Sequence, residues 1–128
     1  MKILIDTSVI IDFQRVKEKK NTWLYKLASS GQDLYVSILT HTELHAGSSI
    51  WEDKRKKKEL EVVLKDLKIL PLTPEISEMS GKVKYLSGIK IADAIIAATA
   101  VINKISLATL DQKDFPKVKG LDLIKKPK

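Results

Sequence analysis

The chain has 128 residues, 44% hydrophobic and 30% charged, with a formal net charge of +7 and a pI near 9.5. That length suits one domain, residues 1–128, burying roughly two-thirds of its unfolded surface. The absence of cysteine excludes disulfides, thiolate metal sites and a thiol nucleophile, and fits a reducing, cytoplasmic compartment.

Lys2 to Ile5 reads as a short apolar strand, and Asp6-Thr7-Ser8 as its exit into a helix carrying Val9, Ile10 and Phe13, with Thr7 or Ser8 as the cap. Asp6 interrupts the apolar N-terminus, which argues against a signal peptide. A second helix runs from about Thr22 to Ser29 and stops at Gly31. Leu34 to Ile38 is the next strand, followed by a helix from about Thr40 to Ser48. A basic helix follows, with Lys54 to Lys58 along it and Leu60, Val63, Leu64 and Leu67 on the helical repeat. Lys68 to Leu72 is a strand that Pro71 confines to its end or to a sheet edge. Thr73-Pro74 starts a helix whose stripe is Ile76, Met79, Val83 and Leu86, ended by Ser87-Gly88. A helix around Asp93 comes next, then a strand from about Ser106 to Thr109, a turn or short helix from Asp111, and a last strand near Leu121 to Ile124. Strands alternating with helices imply an α/β domain with a largely parallel sheet.

Asp93 stands at the front of the most apolar stretch of the chain, Ile91 to Ile102. The run from Ala94 to Ile102 falls far short of the ~20 apolar residues of a membrane span, so no membrane is expected. A helix apolar on every face is buried, and a carboxylate carried with it needs a cation, hydrogen-bond donors or a proton. In a parallel sheet the strand C-termini and the following helix N-termini share one edge, where ligands bind. Asp6 and Asp111 follow strands, and Glu43 and Asp93 fall in the first turns of helices that face the same edge. Two unit charges ~4 Å apart repel by about 4 kcal/mol at an effective dielectric of 20. A divalent cation removes that repulsion, and oxygen-only ligands favour Mg²⁺ or Mn²⁺. Acids holding such an ion on a basic chain suggest metal-assisted phosphodiester cleavage.

Each acid also has a plain structural role open to it. Asp6 can cap its helix, Thr40 and Glu43 fit a capping box, and Asp111 can start a turn in which Asp114 is a solvated acid. Asp93 can answer its helix dipole, worth about 0.3 to 1 kcal/mol, too little to offset deep burial. Other chemistries lack their residues. His41 and His45 are spaced as in H-E-x-x-H, but Thr42 stands where the acid must be. Phosphate-binding loops, the dinucleotide fingerprint and the G-x-S-x-G elbow are absent. With two Trp, three Tyr and two Phe, an aromatic platform for bases is not indicated. The net charge points to an anionic partner, nucleic acid first, through patches at Lys17, Lys19 and Lys20, at Lys54 to Lys58, and at Lys125, Lys126 and Lys128.

Ile5 to Ile11, Ser37 to Gly47, Ile91 to Ala100 and Thr109 to Phe115 resemble, in order and spacing, the acidic motifs of PIN-domain ribonucleases. The resemblance is greatest to VapC-type toxins of toxin-antitoxin pairs. It implies a PIN-like three-layer α/β/α sandwich and an endoribonuclease dependent on Mg²⁺ or Mn²⁺. It also implies a homodimer and a cognate antitoxin whose tail occupies the active-site groove. Asp6 and Asp93 would be the metal ligands, Glu43 would bind metal or orient water, and Asp111 or Asp114 would complete the catalytic acids. Thr7, Ser8 and Thr109 would donate to metal-bound water or phosphate. Where many relatives have Thr-Arg-Asn this chain has Thr109-Leu110-Asp111, so a substrate-binding arginine is missing. The alternatives are a non-catalytic PIN-like RNA-binding or assembly module, and an enzyme acting on DNA or a small phosphate ester.

Overall fold

The computed structural model describes residues 1–127, so Lys128 of the basic tail lies outside the described residues. Five strands, β1 (Lys2–Ile5), β2 (Asp33–Ser37), β3 (Lys68–Leu70), β4 (Ser106–Ala108) and β5 (Leu123–Ile124), form one sheet in the order β3-β2-β1-β4-β5. All four pairings are parallel, with Leu4 beside Tyr35 and Leu107. Both faces of such a sheet must be covered, and the alternation of side chains shows that they are. Ile3, Ile5, Leu34, Val36 and Ala108 enter one core with α1 (Thr7–Arg15), α2 (Trp23–Ser29), α4 (Ser48–Glu52) and α5 (Lys54–Lys65). Leu4 and Leu107 enter the other with α6 (Pro74–Ser87) and α7 (Ile91–Asn103). These are the three layers expected. Ile3, Leu4 and Ile5 are almost wholly buried, each worth about 1.5–3 kcal/mol of transfer free energy.

Helix α3 (Ile38–His45) starts directly after β2, sending Leu44 to the first core and Leu39 to the second. Its cap corrects the sequence reading. Ser37 holds the N-cap position and accepts a hydrogen bond from the Leu39 amide at 3.1 Å, so Thr40 is an interior residue and the Thr40–Glu43 capping box does not form. The strand pairs through Ser37 with Leu70, and the chain turns helical two residues earlier than expected. Glu43 therefore lies in the second turn of α3, not the first. The structure also divides the region before the basic helix, ending α3 at His45 and inserting the one-turn α4.

Asp6 sits at the N-cap of α1 but makes no side-chain capping bond, and neither Thr7 nor Ser8 is the cap. The edge position of β3 is as the sequence implied, but the strand stops at Leu70, two residues short of the expected Leu72, because Pro71 has no amide to continue the ladder. Helix α6 has Thr73 as cap, Pro74 in its first turn and Gly88 in the left-handed conformation at φ 76°, as its termini predicted. No single helix among the described residues is long and apolar enough to cross a membrane.

Candidate active site

Strand order turns at β1, whose neighbours β2 and β4 carry the chain in opposite directions across the sheet. The ends of β1 and β4 are tied together there by a hydrogen bond from the Asp6 amide to the Ala108 carbonyl at 2.9 Å. Asp6 is only 5% exposed. Its Oδ2 accepts hydrogen bonds from Ser8 Oγ at 2.6 Å and Thr109 Oγ1 at 2.7 Å. Bonds from hydroxyls to an ionised carboxylate are short and strong, so this pair fixes the carboxylate plane and satisfies one oxygen. Thr109 is itself held, since its hydroxyl accepts from the Asp111 amide at 3.0 Å. Ser8 likewise accepts from the Leu110 amide at 3.1 Å. The hydroxyls expected to face water or phosphate are thus occupied in orienting acids and the loop after β4.

The same holds across the site. Thr7 Oγ1 lies 2.7 Å from Glu43 Oε1 and 3.0 Å from Thr40 Oγ1. A hydroxyl has one proton, and the nearer, charged oxygen of Glu43 takes it. Thr40, fully buried, anchors this link from within α3. Sequence reasoning assigned Thr40 to a cap and missed it, since nothing local distinguishes it from the neighbouring polar residues His41 and Thr42.

Asp93 occupies the first turn of α7, whose Ala94 and Ile96 to Ala100 are buried. The carboxylate itself is only partly buried, because the third residue of the helix stands at its mouth. No lysine, arginine or histidine among the described residues forms an ion pair with it. Burial, then the charges of Asp6, Asp111, Asp114 and Glu43, push its pKa up to about 6. All the acids singled out in the sequence therefore act on Asp93. Carboxylate oxygens of Asp93, Asp111 and Asp114 lie within 4.8 Å of one another. Asp111 also keeps its turn role, its Oδ1 accepting from the Lys113 and Asp114 amides at 2.9 and 3.1 Å. Asp114 is 3.6 Å from Lys117, a contact too exposed to cancel the group's charge.

This arrangement fits a divalent cation. An all-oxygen set with surplus negative charge and a destabilised carboxylate suits a hard ion such as Mg²⁺ or Mn²⁺. His41 and His45 belong elsewhere. Their rings stack at a centroid distance of 4.2 Å, the Nδ1 of His45 lies 2.7 Å from the His41 carbonyl, and burial followed by the His45 charge lowers the pKa of His41.

A family model described as PIN domain matches residues 3–121. The chain belongs to the PIN-domain family. Over 133 residues it is 32% identical to ribonuclease VapC1 of Rickettsia felis, covering 97% of this chain and 96% of that protein. Among solved structures, VapBC2 of Rickettsia felis bound to a DNA fragment from its promoter superposes with a TM-score of 0.82. That match has 18% identity and covers 99% of this chain and 100% of that one, which establishes the PIN fold. A toxin-antitoxin complex from Klebsiella pneumoniae matches with a TM-score of 0.76 and 26% identity over 95% of both chains. The fold expected from the acidic motifs is thereby borne out, as is membership of the family they resemble.

Proposed function

We propose that this PIN-domain chain is a metal-dependent endoribonuclease acting as the toxin of a toxin-antitoxin pair. Five carboxylates at the switch point of a parallel sheet, on a chain of net charge +7, carry that reading. The names of its relatives, a VapC ribonuclease and a toxin-antitoxin complex, support it. Asp6, Asp93, Asp111 and Asp114 would hold Mg²⁺ or Mn²⁺. When bound, such an ion supplies an acidified water and neutralises charge growing on phosphate oxygens. Glu43, pinned by Thr7, orients the attacking water and accepts its proton. Ser8 and Thr109, donating to its Oδ2, keep the Asp6 carboxylate correctly turned. In the reaction water adds to phosphorus, the bond from phosphorus to the leaving 3′-oxygen breaks, and that oxygen takes up a proton.

The acting unit is one PIN-like domain over residues 1–128, placed in the cytoplasm, paired as a homodimer and inhibited by a cognate antitoxin. Exposed Tyr85, Leu86 and Ile91, where α6 meets α7, supply apolar surface for protein partners. The test is cleavage of single-stranded RNA by the purified chain with Mg²⁺, with EDTA, and as Asp93→Asn. Cleavage should stop in EDTA and fall at least about 100-fold in the variant, the scale of losing preorganised charge at a reacting phosphate. Wild-type, Mg²⁺-dependent cleavage by folded Asp93→Asn would overturn the proposal.

A further inference from the structure

The two tryptophans of the chain differ sharply in exposure. Trp23 is 2% exposed and Phe115 1%, whereas Trp51, on the one-turn helix α4, is 63% exposed. The exposure is not looseness. Its indole Nε1 donates to the His45 carbonyl at 2.7 Å, meeting one of the last carbonyls of α3, which has no partner inside that helix. The ring is thus pinned by its polar edge while its π surface stays out. Lys57 Nζ lies 4.9 Å from the ring centroid, at cation–π distance, and covers part of one face. At 63% exposure the rest of the ring is open.

The surroundings say what this ring suits. Trp51 is followed closely by Lys54, Arg55, Lys56, Lys57 and Lys58 on α5. Its neighbours Ser49 and Ile50 line a cleft of about 360 Å³ that also contains Glu43. Within that cleft Glu43 and Glu59 offset Arg15 and Lys56, so the cleft itself does not select an anion. The positive excess lies on the exposed α5 run beside the tryptophan. A fixed aromatic face next to surplus cations, one step from a candidate catalytic acid, matches an unpaired nucleotide: the base stacks and the backbone phosphate meets lysine.

We propose that Trp51, backed by Lys57, is a stacking platform for an unpaired base of the RNA strand flanking the cleaved bond. This rests on the ribonuclease reading and extends it to how the strand is positioned. The few aromatics in the sequence did not indicate an aromatic platform for bases; the structure leaves one rigid ring exposed, and one ring suffices to stack one base.

The experiment measures binding of a labelled, short single-stranded RNA pool to the full chain carrying Asp93→Asn, which holds RNA without cutting it. Trp51→Ala in that background should weaken binding about 5- to 100-fold. Trp51→Phe, which keeps a π face and loses the indole N–H, should hold it within about 3-fold. Because Trp23 is buried, RNA should also quench the indole emission of the parent, and the quench should vanish in Trp51→Ala. Unchanged affinity in Trp51→Ala overturns the platform and leaves the ribonuclease reading standing, the ring then serving a protein partner or the end of α3. Equal losses in Ala and Phe also overturn it, since the hydrogen bond to His45 would then be what matters. If the chain with Trp51 intact binds no RNA, the ribonuclease reading and the platform fall together.

Discussion

Replacing Asp93 by Asn should stabilise the metal-free protein. The pKa of Asp93 is raised from 3.8 to about 6, first by burial and then by the charges of Asp6, Asp111, Asp114 and Glu43. A carboxyl group that binds its proton more tightly when folded makes the fold less stable wherever the group is ionised. The destabilisation is absent below the unfolded pKa, grows between about pH 4 and 6, and is complete above. Taken whole, the shift amounts to about 3 kcal/mol, at 1.36 kcal/mol per unit. Asp93 is partly exposed, so solvent screening leaves roughly half of that. Asn also forfeits about 0.5 kcal/mol of attraction between the carboxylate and the N-terminus of α7. About 1 kcal/mol remains, or roughly 4 °C in Tm for a chain of this size. The assay is thermal unfolding of both proteins in EDTA. The difference should be largest near pH 7.5, about half as large at pH 5, and nearly gone at pH 4. A variant that melts lower than the parent at pH 7.5, or a difference independent of pH, would show that Asp93 is a hydrogen-bonded structural carboxylate.

Mg²⁺ or Mn²⁺ should raise the Tm of the parent at pH 7.5 and leave Asp93→Asn almost unmoved; calorimetric titration should show affinity falling as pH drops through about 6, where protons compete for Asp93. Thr109→Val removes the buried hydroxyl that donates to Asp6 and accepts from the Asp111 amide. It should cost about 1–3 kcal/mol in denaturant unfolding and reduce RNA cleavage more than 10-fold, with Thr109→Ser recovering most of both. Ser106→Ala severs a hydrogen bond to Asp122 at the opposite end of β4 from the acids. It should cost about 1 kcal/mol and leave the cleavage rate of the folded protein unchanged, separating loss of stability from loss of the site.

Much of this was legible in the chain because it rests on local chemistry. Helix α6 carries its start and stop in Thr73-Pro74 and Ser87-Gly88, and those residues act through their own backbone and neighbours. Asp93 and its apolar run announced a helix whose middle, Ala94 and Ile96 to Ala100, is buried. The start of α3 was read wrongly because two N-cap signals compete there, Ser37 and the Thr40–Glu43 box, and local sequence does not rank them. The pairing of β2 with β3 through Ser37 decides it. Thr40 was lost with that choice. The exposed ring of Trp51 was not legible for a related reason: composition counts aromatic residues and says nothing of which of them is left facing outward.

The sequence by itself determined the alternation of strands and helices, the family and the acids worth watching, since periodicity, capping residues and motif spacing all act over short stretches of chain. Only the tertiary structure decided what those acids are to one another. Residues as distant as Asp6 and Thr109 share a hydrogen bond because β1 and β4 are neighbours in a parallel sheet. Charge repulsion, burial and hydrogen bonding depend on distance through space, and the order of strands sets that distance. The same parallel packing turns the hydroxyls of Thr7, Ser8 and Thr109 inward onto carboxylates, and among the described residues it leaves Asp93 without a cation of its own.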